Sequence, residues 1–185
     1  ISPTMAAPER IVDVDLRGTA LVLQAFDAQV TPGMVAVCFA SIAAAAVAGA
    51  GDPAIDAVLD EPLADDLLER LAAFGSTVLG DPGAYGWSKR AVQRLVRRTA
   101  VAWGPRGGRI VSISPGMIDT PMGAQEAAAQ PTMAFMLEHT PLGREGTADE
   151  LAAVVEFLCS DAASFVTGVD LTVDGGVMAG LERFA

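Results

Sequence analysis

A phenol and an ammonium stand four residues apart in Tyr85-Gly86-Trp87-Ser88-Lys89. On a helix, positions i and i+4 share a face and lie one above the other. A free tyrosine has a pKa of about 10 and a free lysine one of about 10.4. The neighbouring cation favours phenolate, so it is expected to lower the pKa of Tyr85 toward the range useful for general acid–base work. A lone Tyr-x-x-x-Lys is weak evidence, because many such pairs decorate helix surfaces. Its setting here adds weight. The pair follows a turn-forming run, Gly80, Pro82 and Gly83, and opens a helix. Upstream, the apolar run from Met34 to Ala40 ends in a hydroxyl, Ser41. Ligands of open α/β sheets bind at the carboxyl ends of strands, and Ser41 falls at one. Ser41 also fits the plainer role of satisfying a strand end.

The elements around these groups alternate. Pro8 to Ala28 reads as a helix that is apolar nearly all round (Ile11, Val12, Leu16, Leu21, Val22, Phe26), hence buried on more than one side. Met34–Ser41 is a continuously apolar strand, as in a parallel sheet covered on both faces. Pro62 opens a short helix through Phe74, with Gly75 past its end. A long helix runs from Tyr85 to Trp103. Its stripe of Arg90, Arg94, Arg97 and Arg98 reads as a solvated face or a set of inter-subunit salt bridges. Arg109–Ser114 is a second strand. One helix covers about 124–138, and Thr147-Ala148-Asp149-Glu150 is a capping box for another that ends near Cys159. Val169–Val173 is the third strand. Such alternation argues for a parallel, doubly wound α/β sheet. Three parallel strands would leave a long apolar edge, and the chain opens at Ile1 in a loop-like run, Ser2-Pro3-Thr4. The expectation is therefore one domain over 1–185, the C-terminal portion of a larger sheet.

Composition narrows the function. The chain has 185 residues, 51% hydrophobic but only 5% aromatic, so Ala, Val and Leu must fill its core. A formal net charge of −11 repels phosphate backbones and anionic lipid surfaces, which argues against nucleic acid and membrane partners. The uncharged stretch Ala28–Gly51 is interrupted by Pro32 and Gly33 and is rich in Ala. That suits a buried strand and loop better than a membrane span. Cys38 and Cys159 have no metal-ligand spacing, so no metal is expected. Both read as buried free thiols of a reducing compartment, hence a cytoplasmic protein. His139, the single histidine, is given no role.

Five motifs in one order resemble the short-chain dehydrogenase/reductase family. They are Val14-Asp15-Leu16-Arg17-Gly18-Thr19; Ser41; Tyr85-Gly86-Trp87-Ser88-Lys89; Ser114-Pro115-Gly116-Met117-Ile118-Asp119-Thr120-Pro121-Met122; and Ser160 to Gly168 followed by Val173-Asp174-Gly175-Gly176. The resemblance implies a Rossmann-like fold, here its last three strands with flanking helices. It implies NAD or NADP as cofactor, a small alcohol or carbonyl substrate, and a homodimer or homotetramer packed through the two long helices. Tyr85 would be the general acid/base. Lys89 would lower its pKa and hold the nicotinamide ribose. Ser41 would stabilise the developing alkoxide. Pro115 and Gly116 would shape the nicotinamide pocket. The Ile118 backbone and Thr120 hydroxyl would contact the carboxamide and phosphate region, although Thr120 also suits a helix N-cap.

Three departures from the pattern matter. No strand–glycine-turn–helix for a pyrophosphate occurs in the sequence. Asp15 stands where many members carry an asparagine that works partly through its backbone carbonyl, holding a water near the lysine. A carboxylate there would raise the pKa of Lys89, or be an inert surface Asp. The interval from Ser41 to Tyr85 is long, similar to members such as bacterial 3α-hydroxysteroid dehydrogenase/carbonyl reductase, so an insertion of about 42–84 is expected to affect subunit packing or cover the pocket. Met117, Met122, Met133, Phe135 and Met136 suggest an apolar, steroid-like substrate or, more plainly, helix core. The resulting expectation is reversible oxidation of a secondary alcohol to a ketone. The rival is a non-catalytic scaffold or regulatory binder of the same fold.

Overall fold

The computed structural model describes residues 1–48, 51–80 and 83–182. Residues 49–50 of the small apolar run 42–51, and residues 81–82 within the turn-forming run Gly80, Pro82 and Gly83, lie outside the described residues. The strands are β1 (Val35–Phe39), β2 (Arg109–Pro115), β3 (Ile118–Asp119), β4 (Gly146–Thr147) and β5 (Asp170–Val173). The N-terminal half carries helices α1 (Pro8–Ile11), α2 (Thr19–Asp27), α3 (Ala43–Ala48), α4 (Pro53–Leu59), α5 (Leu67–Ala72) and α6 (Ser76–Leu79). After these come α7 (Gly83–Trp103), α8 (Pro121–Ala129), α9 (Thr132–Glu138), α10 (Ala148–Cys159) and α11 (Val177–Leu181).

β1, β2 and β5 form one parallel sheet in the order β1-β2-β5, with Val37 opposite Val111 and Ser112 opposite Asp170. A short parallel pair, β3 and β4, continues from the end of β2. The central strand β2 is covered on both faces, as the alternation of elements implied. On one side Ile110 and Cys38 pack with Leu23 of α2 and Val92, Val96 and Trp103 of α7. On the other, Val111 and Ile113 pack with Leu158 of α10. Successive side chains of β2 thus serve opposite layers.

Several expectations are corrected. The first helix is one continuous rod, but its middle, Val12–Gly18, is π-helical. In the single chain its side away from the sheet carries Leu21, Val22 and Phe26 about half exposed, the side expected to face a partner subunit. β1 is not sealed on both faces either, since Phe39 is half exposed. The helix expected from Pro62 begins only at Leu67, because residues 61–66 fold as turns. A further helix, α4, starts at Pro53 under an Asp52 cap that accepts from the Ala54 N–H at 2.8 Å. The helix expected over 124–138 is two helices, broken at Gln130 and Pro131. Cys38 is buried but Cys159 is exposed. The capping box at Thr147 and Glu150 forms as expected.

The insertion folds against α7. Ile55, Leu59, Leu67, Leu71 and Val78 bury their side chains with Val12, Leu16 and Trp87. Within the chain, three arginines of the stripe also meet carboxylates, while Arg97 is exposed. Arg90 and Arg94 grip Asp56, and Arg94 and Arg98 grip Asp60, both carboxylates belonging to the inserted segment. These charges hold α4 and the turn after it along the length of α7.

Candidate active site

Three elements bring the reactive groups together. β1 ends just before Ser41, which turns the chain into α3; its hydroxyl accepts the Ala43 N–H at 3.2 Å. α7 carries Tyr85 and Lys89. The π-helical stretch carries Asp15. α7 can approach α3 closely because Gly86 has no side chain: a Cβ there would sit 3.0 Å from the Ala43 carbonyl oxygen and 3.0 Å from Val47.

Within this cluster Ser41 is near enough to the Tyr85 phenol to favour its ionised form. The Lys89 ammonium lies 5.4 Å from the centre of the Tyr85 ring. It donates to the Phe39 carbonyl at 3.2 Å and stands 3.7 Å from Asp15 Oδ2. Asp15 is buried, and its backbone carbonyl accepts the Thr19 hydroxyl at 2.7 Å. Asp15 is therefore no inert surface residue.

The electrostatics correct one expectation. Burial pushes the Tyr85 phenol up to about 12, with Ser41 opposing and the charges of Glu126 and Asp15 adding to the rise. Lys89 does not drag the phenol into the neutral range. Desolvation dominates, because the charged phenolate has little water to stabilise it. Burial also lowers the Lys89 pKa, and Asp15 opposes that fall. The buried Cys38 thiol is pushed up to about 11 by desolvation, with Lys89 pulling the other way.

The remaining expected site residues have clear structural duties. The Pro115 carbonyl accepts the Ile42 N–H at 3.2 Å, so it abuts the turn after Ser41. Gly116 faces β5: a Cβ there would lie 2.7 Å from the Cα of Asp174. Ile118 pairs with Gly146. The Thr120 hydroxyl caps α8 by accepting the Gly123 N–H at 3.1 Å, so the N-cap reading holds. Sequence reasoning missed Glu126 of α8. It is half-buried electrostatic company for Tyr85, and burial pushes its carboxyl up. Nothing in its local sequence signals that placement.

A cleft of about 160 Å³ beside Tyr85 is lined by Pro3, Ala6, Pro8, Ile11, Gly80 and Ala84. A larger one, about 650 Å³, lies between α2, the C-terminal half of α7 and residues 60–64. It contains none of Ser41, Tyr85 or Lys89, so the smaller cleft is the one tied to the chemistry. Among the described residues no cluster of metal-ligating side chains occurs, and no helix is long and apolar enough to cross a membrane.

The structure thus gathers a hydroxyl, a phenol and an ammonium at one strand end of a parallel α/β sheet. Comparison with known proteins identifies the family. The model of the family described as enoyl-(acyl carrier protein) reductase matches residues 71–178. A short-chain dehydrogenase/reductase of Alternaria brassicicola is 35% identical over 185 residues, covering 99% of this chain and 67% of that protein. The 3-alpha-hydroxysteroid dehydrogenase/carbonyl reductase of Comamonas testosteroni is 32% identical over 187 residues, covering 97% and 70%. The crystal structure of the 3-alpha-hydroxysteroid dehydrogenase from Pseudomonas sp. B-0831, complexed with NADH, superposes with a TM-score of 0.77 at 30% identity, covering 100% and 71%. The chain belongs to the short-chain dehydrogenase/reductase family of oxidoreductases, and spans between 67% and 71% of the length of these relatives.

Proposed function

We propose that the protein is an NAD- or NADP-dependent dehydrogenase/reductase that interconverts a secondary alcohol and a ketone, with Tyr85 as the proton-transfer group. The observation that carries this reading is the convergence of Ser41, Tyr85 and Lys89 at the carboxyl end of β1. Three donors at a strand end suit the nicotinamide end of a dinucleotide, and a neighbour of the same fold holds NADH. Lys89 would hold the ribose hydroxyls there, with the Pro115–Gly116 turn beside the ring.

When bound, the dinucleotide supplies or accepts the hydride. The chain's own residues handle the proton. With its pKa near 12, the phenol is protonated at neutral pH, so it is set to donate to a ketone oxygen. Ser41 orients that oxygen and stabilises negative charge growing on it. In the oxidative direction Tyr85 takes the alcohol proton as phenolate, the same form it reaches after donating to a ketone oxygen. Lys89, whose charge Asp15 favours against the cost of burial, stabilises that phenolate.

The largely apolar lining of the cleft beside Tyr85 supports an apolar or steroid-like substrate. Gly80, in the inserted segment, lines that cleft, which supports a pocket-covering role for the insertion. The reading includes a homodimer or homotetramer in the cytoplasm; the unpaired, buried Cys38 supports a reducing compartment.

The test is hydride transfer by the full-length protein, with both dinucleotides, across a panel of secondary alcohols and ketones. Turnover is expected, falling about a hundredfold in Ser41→Ala. No turnover on any pair would favour the scaffold reading instead.

A further inference from the structure

We infer that Gln93 is a positioning residue that latches α7 to β2 and β5, and so fixes where the Tyr85–Lys89 face meets Ser41 and the Pro115–Gly116 turn. The inference rests on Tyr85 as the proton-transfer group.

Its starting point is an anomaly in β2. This strand is covered on both sides, yet on the α7 side Ile110 is followed by Ser112 and Ser114, both almost wholly buried. Hydroxyls on a buried strand face must find partners. They find them in one network. Gln93 Nε2 donates to Ser114 Oγ at 3.0 Å and to Asp170 Oδ2 at 3.0 Å, and Ser112 Oγ donates to Asp170 Oδ1 at 2.6 Å. Asp170 sits opposite Ser112 in the β2–β5 register. The bonds to its carboxylate are charge-assisted, hence short and strong.

Gln93 follows Lys89 by four residues and shares its helix face. Lys89 reaches the Phe39 carbonyl of β1. Gln93 reaches β2 and β5. One face of α7 therefore donates to all three strands of the sheet. Apolar packing alone leaves a helix some freedom to slide or roll, whereas hydrogen bonds are directional. The latch closes at Ser114, adjoining the Pro115–Gly116 turn. A displacement of about 1 Å at a reacting group can cost about a hundredfold in rate, so such a restraint matters to the chemistry although Gln93 touches no reacting atom.

The test exploits the symmetry of amide and carboxylate. Gln93→Glu sets two carboxylates against each other. Gln93→Glu combined with Asp170→Asn restores an amide–carboxylate pair with its polarity reversed. Gln93→Leu removes the bonds without adding charge. Two quantities are read on the full-length protein. One is kcat against KM. The other is the phenolate titration of Tyr85, isolated as the ultraviolet difference between each variant and its Tyr85→Phe counterpart. We expect Gln93→Glu and Gln93→Leu to lower kcat between about tenfold and a hundredfold with KM little changed. The Tyr85 midpoint should move down toward the ordinary value of about 10 as water enters, and the double variant should restore both quantities. Wild-type kcat and midpoint in Gln93→Leu would overturn the inference, as would a double variant no better than Gln93→Glu. If Tyr85 were not the proton-transfer group, Tyr85→Phe would keep its turnover while the titration still reported on Gln93, so the two failures are told apart.

Discussion

The Lys89 ammonium lies over the Tyr85 ring, 5.4 Å from its centre, while Ser41 favours ionisation at the hydroxyl end. The cation and the serine thus act on different parts of one aromatic group. Lys89 supplies attraction to the ring and its neighbourhood, and Ser41 a polar neighbour for the phenol oxygen. Replacing Lys89 with Met keeps the stem and removes the charge. The Phe39 carbonyl then loses its donor and Asp15 its nearest side-chain cation. Turnover is expected to drop by about a hundredfold or more, and thermal stability to fall, because a buried carboxylate is left short of a partner. Steady-state kinetics with a melting curve checks both; a stable, fully active Lys89→Met would remove Lys89 from the site.

Asp15 offers a pH test. Folding lowers the Lys89 pKa below its ordinary 10.5, and Asp15 limits that fall. Between the folded and unfolded pKa values the unfolded chain binds the extra proton, so stability rises with pH in that window. In Asp15→Asn the Lys89 pKa drops further and the window widens toward neutral pH. Denaturant melts from pH 7 upward should show the variant gaining stability with pH from a lower starting pH than the wild type. An unchanged or narrower window would mean that Asp15 does not hold the charge on Lys89.

At Gly86 two effects compete. Alanine there gains up to about 1 kcal/mol in helix propensity. Its Cβ would also press on the Ala43 carbonyl and Val47 at 3.0 Å, and overpacking costs about 1–3 kcal/mol. The clash should win, because one of the neighbours is backbone. Gly86→Ala is expected to lower the melting temperature and, by displacing α3 and Ser41, to reduce kcat. A melting temperature above the wild type would show that α3 moves away freely.

The arginine ladder makes an acid-stability prediction. The arginines beside Asp60 hold its carboxyl below the usual carboxylate range despite partial burial. Its contribution is present above the ordinary pKa of 3.8 and is lost as pH falls through the lower folded value. Arg94→Ala should remove about 1 kcal/mol at neutral pH and flatten the stability curve below about pH 4. Equal acid dependence in variant and wild type would assign the clamp to apolar packing alone.

Much of this was legible in the sequence, for stated reasons. Continuous apolar runs marked β1 and β2, and the Thr147–Glu150 capping box marked α10. The helix spacing of Tyr85 and Lys89 placed them on one face. What failed depended on neighbours that no local pattern encodes. The arginine stripe read as a solvated face or a set of inter-subunit salt bridges because the partners of Arg90 and Arg94, Asp56 and Asp60, lie about thirty-four residues upstream. The pKa of Tyr85 was expected to fall because the ammonium is visible in sequence and the burial is not. Thr120 showed its cap signature, yet the β3–β4 pairing beside it gave no signal. Ser112 and Ser114 were visible as serines on a buried strand, but Gln93 and Asp170 emerge as their partners only once α7 and β5 pack on β2.

The most direct measurement is single-turnover hydride transfer by the full-length protein, wild type against Tyr85→Phe, at saturating dinucleotide. Phenylalanine keeps the ring and removes the transferable proton. The account predicts a rate lower by at least about a hundredfold with dinucleotide affinity nearly unchanged. A Tyr85→Phe rate within about twofold of the wild type, a difference of under half a kcal/mol in barrier, would contradict it.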